Sequence, residues 1–209
     1  MIELYAITDN PGPPLPDLAA LELVPVDGLA AVCAPAGEAD VSADALWHHE
    51  EVVEALMADR DLLPVRYGTR LEDEHAVTRA VEERRDELAA ALDRVRGAIE
   101  VSVRVLPSGD AGRAAVPDAA GGAEYLRQRA DEQASQAGTV RAVSEPLAAL
   151  ARASTTSNPR PPELLRAAYL IERDAVEPFT AEVARLQRAH AELSILCTGP
   201  WPPYSFTER

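Results

Sequence analysis

The sequence predicts an α+β protein of two domains. Three observations carry that expectation: short runs with a two-residue apolar period alternate with longer stretches of helical period, an Asp27–Gly28 pair separates two strand-like runs, and Pro/Gly-rich segments punctuate the chain. With 209 residues, 47% of them hydrophobic, the chain can build one large or two small cores.

Ile2 to Ile7 is rich in strand formers, and DNPGPPLPD then breaks the chain into a loop. Leu21–Val26 and Leu29–Ala34 form a hairpin across Asp27–Gly28, since Asp-Gly readily supplies the positive φ values of a two-residue turn. From Ser42, a cap residue, a helix runs to about Arg60, with Leu46, His49, Val53, Leu56 and Met57 in one apolar arc. Trp47, Glu51 and Glu54 point sideways or outward from that arc, and His48 points away from it. Leu62–Tyr67 reads as a short strand, Gly68 and Thr69 turn the chain, and a second helix spans about Glu72 to Val95 on a stripe of Val77, Val81, Leu88, Leu92 and Val95.

Gly97 ends that helix. Ile99–Leu106 then alternates Ile99, Val101, Val103 and Val105 with Glu100, Ser102 and Arg104, the period of a strand with one wet face. A Pro/Gly loop at 107–122 precedes a helical region from about Ala123 to Arg152, with breaks expected near Gly138 and Pro146. NPRPP (158–162) marks an interruption, and the order of the second half turns on whether residues 153–157 form one more short strand. Leu164–Ile171 is a strand, Asp174 and Glu177 resemble a capping pair that opens a helix to about Ala191, and Leu193–Thr198 is a last strand. In that helix Val176, Phe179, Val183, Leu186 and His190 share a stripe. With that strand, the resulting βαββαβ order is that of a ferredoxin-like sandwich with an antiparallel sheet. The expected division is an N-terminal α+β domain at 1–96 and a ferredoxin-like domain at 97–209, with the loop at 107–122 as the alternative boundary.

Twenty Arg and no Lys stand against thirty-five acids, and the net charge of −15 repels phosphate backbones, so nucleic acid is an unfavourable partner. Neither a signal peptide nor a membrane-spanning apolar run is expected. Cys33 and Cys197 sit in apolar runs without disulfide or zinc spacing, which fits core thiols in a reducing cytoplasm. The chain lacks GxGxxG, GxxxxGK, GxSxG and HExxH, so no catalytic residue and no cofactor is assigned. His48, His49, Glu50 and Glu51 are consecutive on a helix and diverge by about 100° per residue, which argues against a metal site. His75 and His190 could join them only through tertiary contacts.

Two segments stand out as candidate contact sites. Arg66 and Tyr67, ahead of Gly68 and Thr69, sit where a strand feeds a helix, a place where a guanidinium meets either an anion or a neighbouring carboxylate. GPWPPYSF (199–206) combines three prolines with Trp201, Tyr204 and Phe206, so it is stiff and apolar and orders at little entropic expense. It either clasps its own domain or presents a preformed surface to a partner. The acids Glu72, Asp73 and Glu74 read as a solvated first turn favoured by the helix dipole.

LWHHEEVVEALMADRDLLPVRYGT (46–69), AAYLIERDAVEPF (167–179) and above all CTGPWPPYSF (197–206) resemble the gas vesicle protein F and L family (GvpF/GvpL) along essentially the whole chain. The regions 107–122 and 152–162 match no family phrase, and the shared motifs do not separate F-type from L-type members. The resemblance implies a two-domain α+β protein with a ferredoxin-like part. It implies a requirement in making gas vesicles, the hollow protein shells that give buoyancy. It further implies association with the main shell protein (GvpA type) and other accessory proteins, as a minor vesicle component or an assembly factor, without enzymatic activity. The candidate partner-binding residues are Trp47, Arg66, Tyr67, Trp201, Pro202, Pro203, Tyr204 and Phe206. The competing reading is an enzyme or a regulatory ligand-binding module, and it requires Arg66, His49 or Tyr67 to converge on an enclosed pocket.

Overall fold

The computed structural model describes residues 1–9, 12, 14–37, 42–108 and 122–207. Of the two predicted loops, residues 10, 11 and 13 of the first and 109–121 of the second lie outside the described residues. The chain forms two compact units, Met1–Glu100 with Trp201–Arg209, and Val101–Pro200.

In the first unit, β1 (Ile2–Thr8) is the central strand of a sheet. The hairpin of β2 (Glu22–Val26) and β3 (Leu29–Pro35) forms as expected, with Asp27 at φ 45° and Gly28 at φ 83° in its turn. β3 pairs antiparallel with β1, and a bulge between Leu4 and Ala6 leaves Tyr5 outside the ladder. β4 (Leu63–Pro64) and β5 (Arg70–Leu71) are two-residue strands that pair with β1, so the expected strand over 62–67 is shorter than its apolar run. Pro64 lacks an N–H to extend it.

Helix α1 (Ala43–Met57) starts where the Ser42 side chain accepts the Ala45 N–H at 3.2 Å. Its buried residues begin only at His49 and continue through Val52, Val53, Leu56 and Met57. Leu46, expected in that arc, is exposed, because the first turn of the helix lies outside the covered stretch. The single long helix expected over 72–95 is two helices, α2 (Glu74–Glu82) and α3 (Arg85–Val95). The break falls at Arg84, which leaves the helical region at φ −119°, ψ 15° within the unbroken charge run 82–87. That run offers no apolar side chain to anchor a continuous stripe, and the bend lets Val77 and Val81 on one helix and Ala91, Leu92 and Val95 on the other all reach the core.

The second unit contains most of β6 (Ala98–Pro107), then α4 (Gly122–Ala148), β7 (Ala153–Thr156), β8 (Leu165–Glu172), α5 (Val176–Ala189) and β9 (Leu193–Trp201). The sheet order β7-β8-β6-β9, on a βαββαβ chain, is the ferredoxin-like arrangement, and β7 and β8 pair antiparallel. α4 passes through Gly138 and Pro146 without a break. The proline falls in the last turn, where it removes the bond that an N–H would make to the Ala142 carbonyl but leaves only two helical residues beyond it, and Val143 and Leu147 pack inward beside it. Asp174 does not cap α5: the chain enters through a 3-10 turn at Arg173–Ala175, and no side chain caps either start. Phe179 on α5 meets Tyr169 on β8 at 5.4 Å between ring centroids. Gln187 pairs with the backbone of β9, donating to Leu193 O at 2.6 Å and accepting from Ile195 N at 2.8 Å.

Candidate functional site

The tail returns to the first unit and is held there by polar groups that the strand and helix patterns leave pointing at it. Glu100 sits at a position the alternation assigns to the wet face, yet it is only 6% exposed. The Ser205 N–H and hydroxyl both donate to its carboxylate at 2.8 Å, which explains the departure: the tail covers that face. Burial pushes Glu100 above the ordinary carboxylate value, while the two Ser205 bonds pull the other way. Tyr204 donates its hydroxyl to Glu50 on α1 at 3.1 Å. Burial, and then the Glu50 charge, hold that phenol well above its usual value, so it stays a donor. Phe206 is 7% exposed, and its carbonyl accepts two guanidinium N–H groups of Arg94 at 3.4 Å. Pro202 and Pro203 are buried as well, and Trp201 is 40% exposed. Trp47, 72% exposed, lies one helical turn before Glu50, the residue that receives Tyr204.

A second cluster gathers on β1. His49, 1% exposed, stacks on Tyr5 at 4.7 Å and meets the edge of Tyr67 at 5.5 Å. Val65 O, an acceptor only, lies 2.8 Å from His49 Nε2, so Nε2 carries a proton. The other ring nitrogen faces Glu3 Oε1 at 3.4 Å, and neither atom has a hydrogen-bond partner among the described residues. A proton on Nδ1 makes this an ion pair; without one, two lone pairs oppose each other in the core. Arg70 Nη2 approaches the other Glu3 oxygen at 3.5 Å. Burial, and then the Glu3 charge, raise the Tyr5 hydroxyl above its ordinary value. Glu3, Tyr5, Tyr67, Arg70 and His48 border an open cleft of about 300 Å³.

Arg66 stands at a different cleft. Thr69 donates to the Arg66 carbonyl through its N–H at 3.3 Å and its hydroxyl at 2.8 Å, which closes the turn, and Gly68 supplies the φ of 80° that the turn requires. Leu4, Ile7, Leu63, Leu71, Val81 and Leu88 wall this cleft of about 310 Å³, with Arg66 and Arg84 also on its lining. Among the described residues, neither of these two clefts brings Arg66, Tyr67 and His49 together. Tyr67 borders the first cleft, Arg66 the second, and His49 lies buried against Tyr67. Among the described residues no group of three or more His, Cys, Asp or Glu side chains is placed to hold a metal ion; His48 is half-exposed, 4.0 Å from Glu51, while His49 is buried. His75 is exposed, and His190, at the end of α5, pairs with Glu192 at 3.2 Å. Sequence reasoning missed Glu3, Arg70 and Glu100. The signal for Glu3 was a lone acid inside the apolar run MIELYAI; for Glu100 there was none nearby in the chain.

The model of the family described as "Gas vesicle synthesis protein GvpL/GvpF" matches residues 3–208, which include every candidate residue named above. This chain belongs to the GvpL/GvpF family. It is 31% identical to gas vesicle protein L of a Streptomyces species, across 80% of this chain and 70% of that protein. It is 26% identical to gas vesicle protein F2 of Halobacterium salinarum, across 77% of this chain and 66% of that protein. The chain thus spans 70% and 66% of the length of these two relatives. The crystal structure of GvpF from an Anabaena species shares its fold, with a TM-score of 0.83 at 20% identity, covering 100% of this chain and 98% of that one. As a GvpL/GvpF protein the chain takes part in gas vesicle formation. Among its described residues no helix is long and apolar enough to cross a membrane.

Proposed function

We propose that this GvpL/GvpF protein is a non-catalytic docking protein that binds the main shell protein (GvpA type) and other vesicle accessory proteins, in the cytoplasm and on the vesicle, without a cofactor. A shell subunit with a gas-facing apolar surface must stay unaggregated until it is assembled, because exposed apolar patches of several hundred Å² associate readily. A partner that covers part of that surface and carries a net charge of −15 keeps the complex dispersed.

The observation that carries this reading is the exposed apolar pair at the start of α1, Trp47 at 72% and Leu46 at 45% exposure, with the acids Asp44, Glu50 and Glu51 about one turn away on the same helix. A solvated tryptophan is a strong anchor when a partner covers it. In this reading Trp47, Arg66, Tyr67 and Trp201 make contact, while Pro202, Pro203, Tyr204 and Phe206 act through the clasp that fixes Trp201.

The test is binding of the purified shell protein, kept soluble as a fusion, to the wild-type chain and to Trp47→Ala and Trp201→Ala. Each variant is expected to weaken binding about tenfold or more, in line with a tryptophan anchor, and Trp47→Ala, at an exposed position, to do so with its thermal midpoint unchanged. Undiminished binding by both variants would remove this surface from the interface.

A further inference from the structure

We infer that the Arg66 cleft seats an aliphatic side chain that the shell subunit presents next to a carboxylate. This inference rests on the docking reading above and adds which chemistry of the partner the first unit recognises.

The walls come first. Leu4 and Ile7 of β1, Leu63 of β4 and Val81 of α2 belong to the buried core, yet together with Leu71 and Leu88 they border about 310 Å³ that no side chain of the described residues occupies. Protein interiors leave few voids larger than a water molecule, and ligand clefts begin at about 300 Å³, so this space is the size of a recognition site and not of a packing defect. Filling it with an apolar group removes both surfaces from water.

The rim supplies the polarity. Among the described residues no carboxylate or other acceptor lies within hydrogen-bond or ion-pair distance of the Arg66 guanidinium, although the chain carries thirty-five acids. Arg84, the other arginine on the lining, already has its guanidinium engaged in two bonds to Glu87 at 3.1 and 3.0 Å. The Arg66 backbone is fixed by both bonds from Thr69, so its side chain projects from a closed turn. An uncommitted arginine side chain carried on a closed turn beside an apolar cleft is complementary to a carboxylate, which its guanidinium can grip through two parallel N–H bonds. The cleft is open on one side, so a free small acid would stay half in water. A side chain delivered by a protein brings its own cover, and this favours a leucine-sized group beside an Asp or Glu of the partner.

Two probes separate the chemistry of the cleft from the docking reading. The first is isocaproate, an isobutyl group carried on acetate, titrated into the full chain and followed by amide NMR, with isohexanol as its neutral counterpart. Shifts are expected at Leu63, Val65, Ala80 and Val81, with affinity for the acid about fivefold or more above that for the alcohol, as a charge-assisted contact provides. Arg66→Gln is expected to abolish that preference. Ala80→Phe, which places a ring on the cleft lining, is expected to abolish the shifts. Absence of shifts at these amides, or equal affinity for acid and alcohol, overturns the inference. The second probe is the purified shell protein. Ala80→Phe and Arg66→Glu are each expected to weaken its binding about tenfold, and because Arg66 is exposed, the second variant serves even if the first fails to fold. Shell protein that binds wild type and both variants equally overturns the cleft inference and removes Arg66 from the docking contacts, while the contacts of Trp47 and Trp201 stand. Shell protein that does not bind wild type overturns both.

Discussion

Replacing Phe206 with Ala should destabilise the first unit by about 3–5 kcal/mol, the range for removing a buried aromatic ring. The structure supports that size independently. A buried phenylalanine withdraws roughly 150–250 Å² from water, which at about 25 cal/mol per Å² corresponds to about 4–6 kcal/mol as an upper bound, and Phe206 is 7% exposed. The Arg94 bonds go to the Phe206 carbonyl, so the substitution leaves both donors and acceptor in place and isolates the ring. The assay is urea unfolding followed by circular dichroism. With a slope of about 2 kcal/mol per M, the midpoint should fall by about 1.5–2.5 M. Thr207→Ala, which loses only a hydroxyl bond to Tyr204 O, is the control and should cost about 1 kcal/mol. A shift below about 0.5 M for Phe206→Ala would mean that the tail rests on the unit without stabilising it, and the clasp argument would fail.

Further expectations follow from the buried polar groups. Burial lifts Glu100 in the folded chain above 4.5, so above that pH the native state retains a proton that the unfolded chain has released, and stability falls as pH rises through the folded value. Glu100→Gln should flatten that slope in thermal midpoints taken between about pH 4 and pH 7; parallel curves for the two proteins would contradict it. The Tyr169 hydroxyl is buried without a hydrogen-bond partner among the described residues, and burial pushes it up to about 12. Tyr169→Phe should therefore stabilise the second unit by about 1 kcal/mol, and a loss of similar size in the same urea assay would reveal a partner for the hydroxyl. Burial, followed by the charges of Glu22 and Glu74, raises the Cys33 thiol to about 11, so native protein should resist iodoacetamide at Cys33 while the half-buried Cys197 reacts first. Rapid labelling of Cys33, read by peptide mass spectrometry, would show that β3 opens.

What was legible in the sequence was local. The 3.6-residue period put His49 inside and Trp47 outside without any knowledge of what covers them, and Asp27–Gly28 announced its hairpin because the turn needs only its own φ angles. The ferredoxin-like order followed from counting strands and helices. Other features depended on distant or cumulative contacts. Glu100 reads as solvated because the group that buries it, Ser205, lies 105 positions away. The break at Arg84 has no glycine or proline to mark it and arises from where two apolar stripes must land. The stiffness of WPPYSF was evident from its prolines, but its destination, Glu50, Glu100 and Arg94, was not, since either outcome suits a preordered apolar segment.

The returning tail also has a bearing on the order of events at the ribosome. Ser205 reaches Glu100 across 105 residues of chain, and at about 5–20 residues per second the wait between the two is about 5–20 s. Until then the early-made unit exists with an uncapped acid and an unfilled phenylalanine seat. Nascent chains at that stage are incomplete in a way no rearrangement of their own residues can repair, so a message cut short anywhere in the second half should yield a product that surveillance proteases recognise.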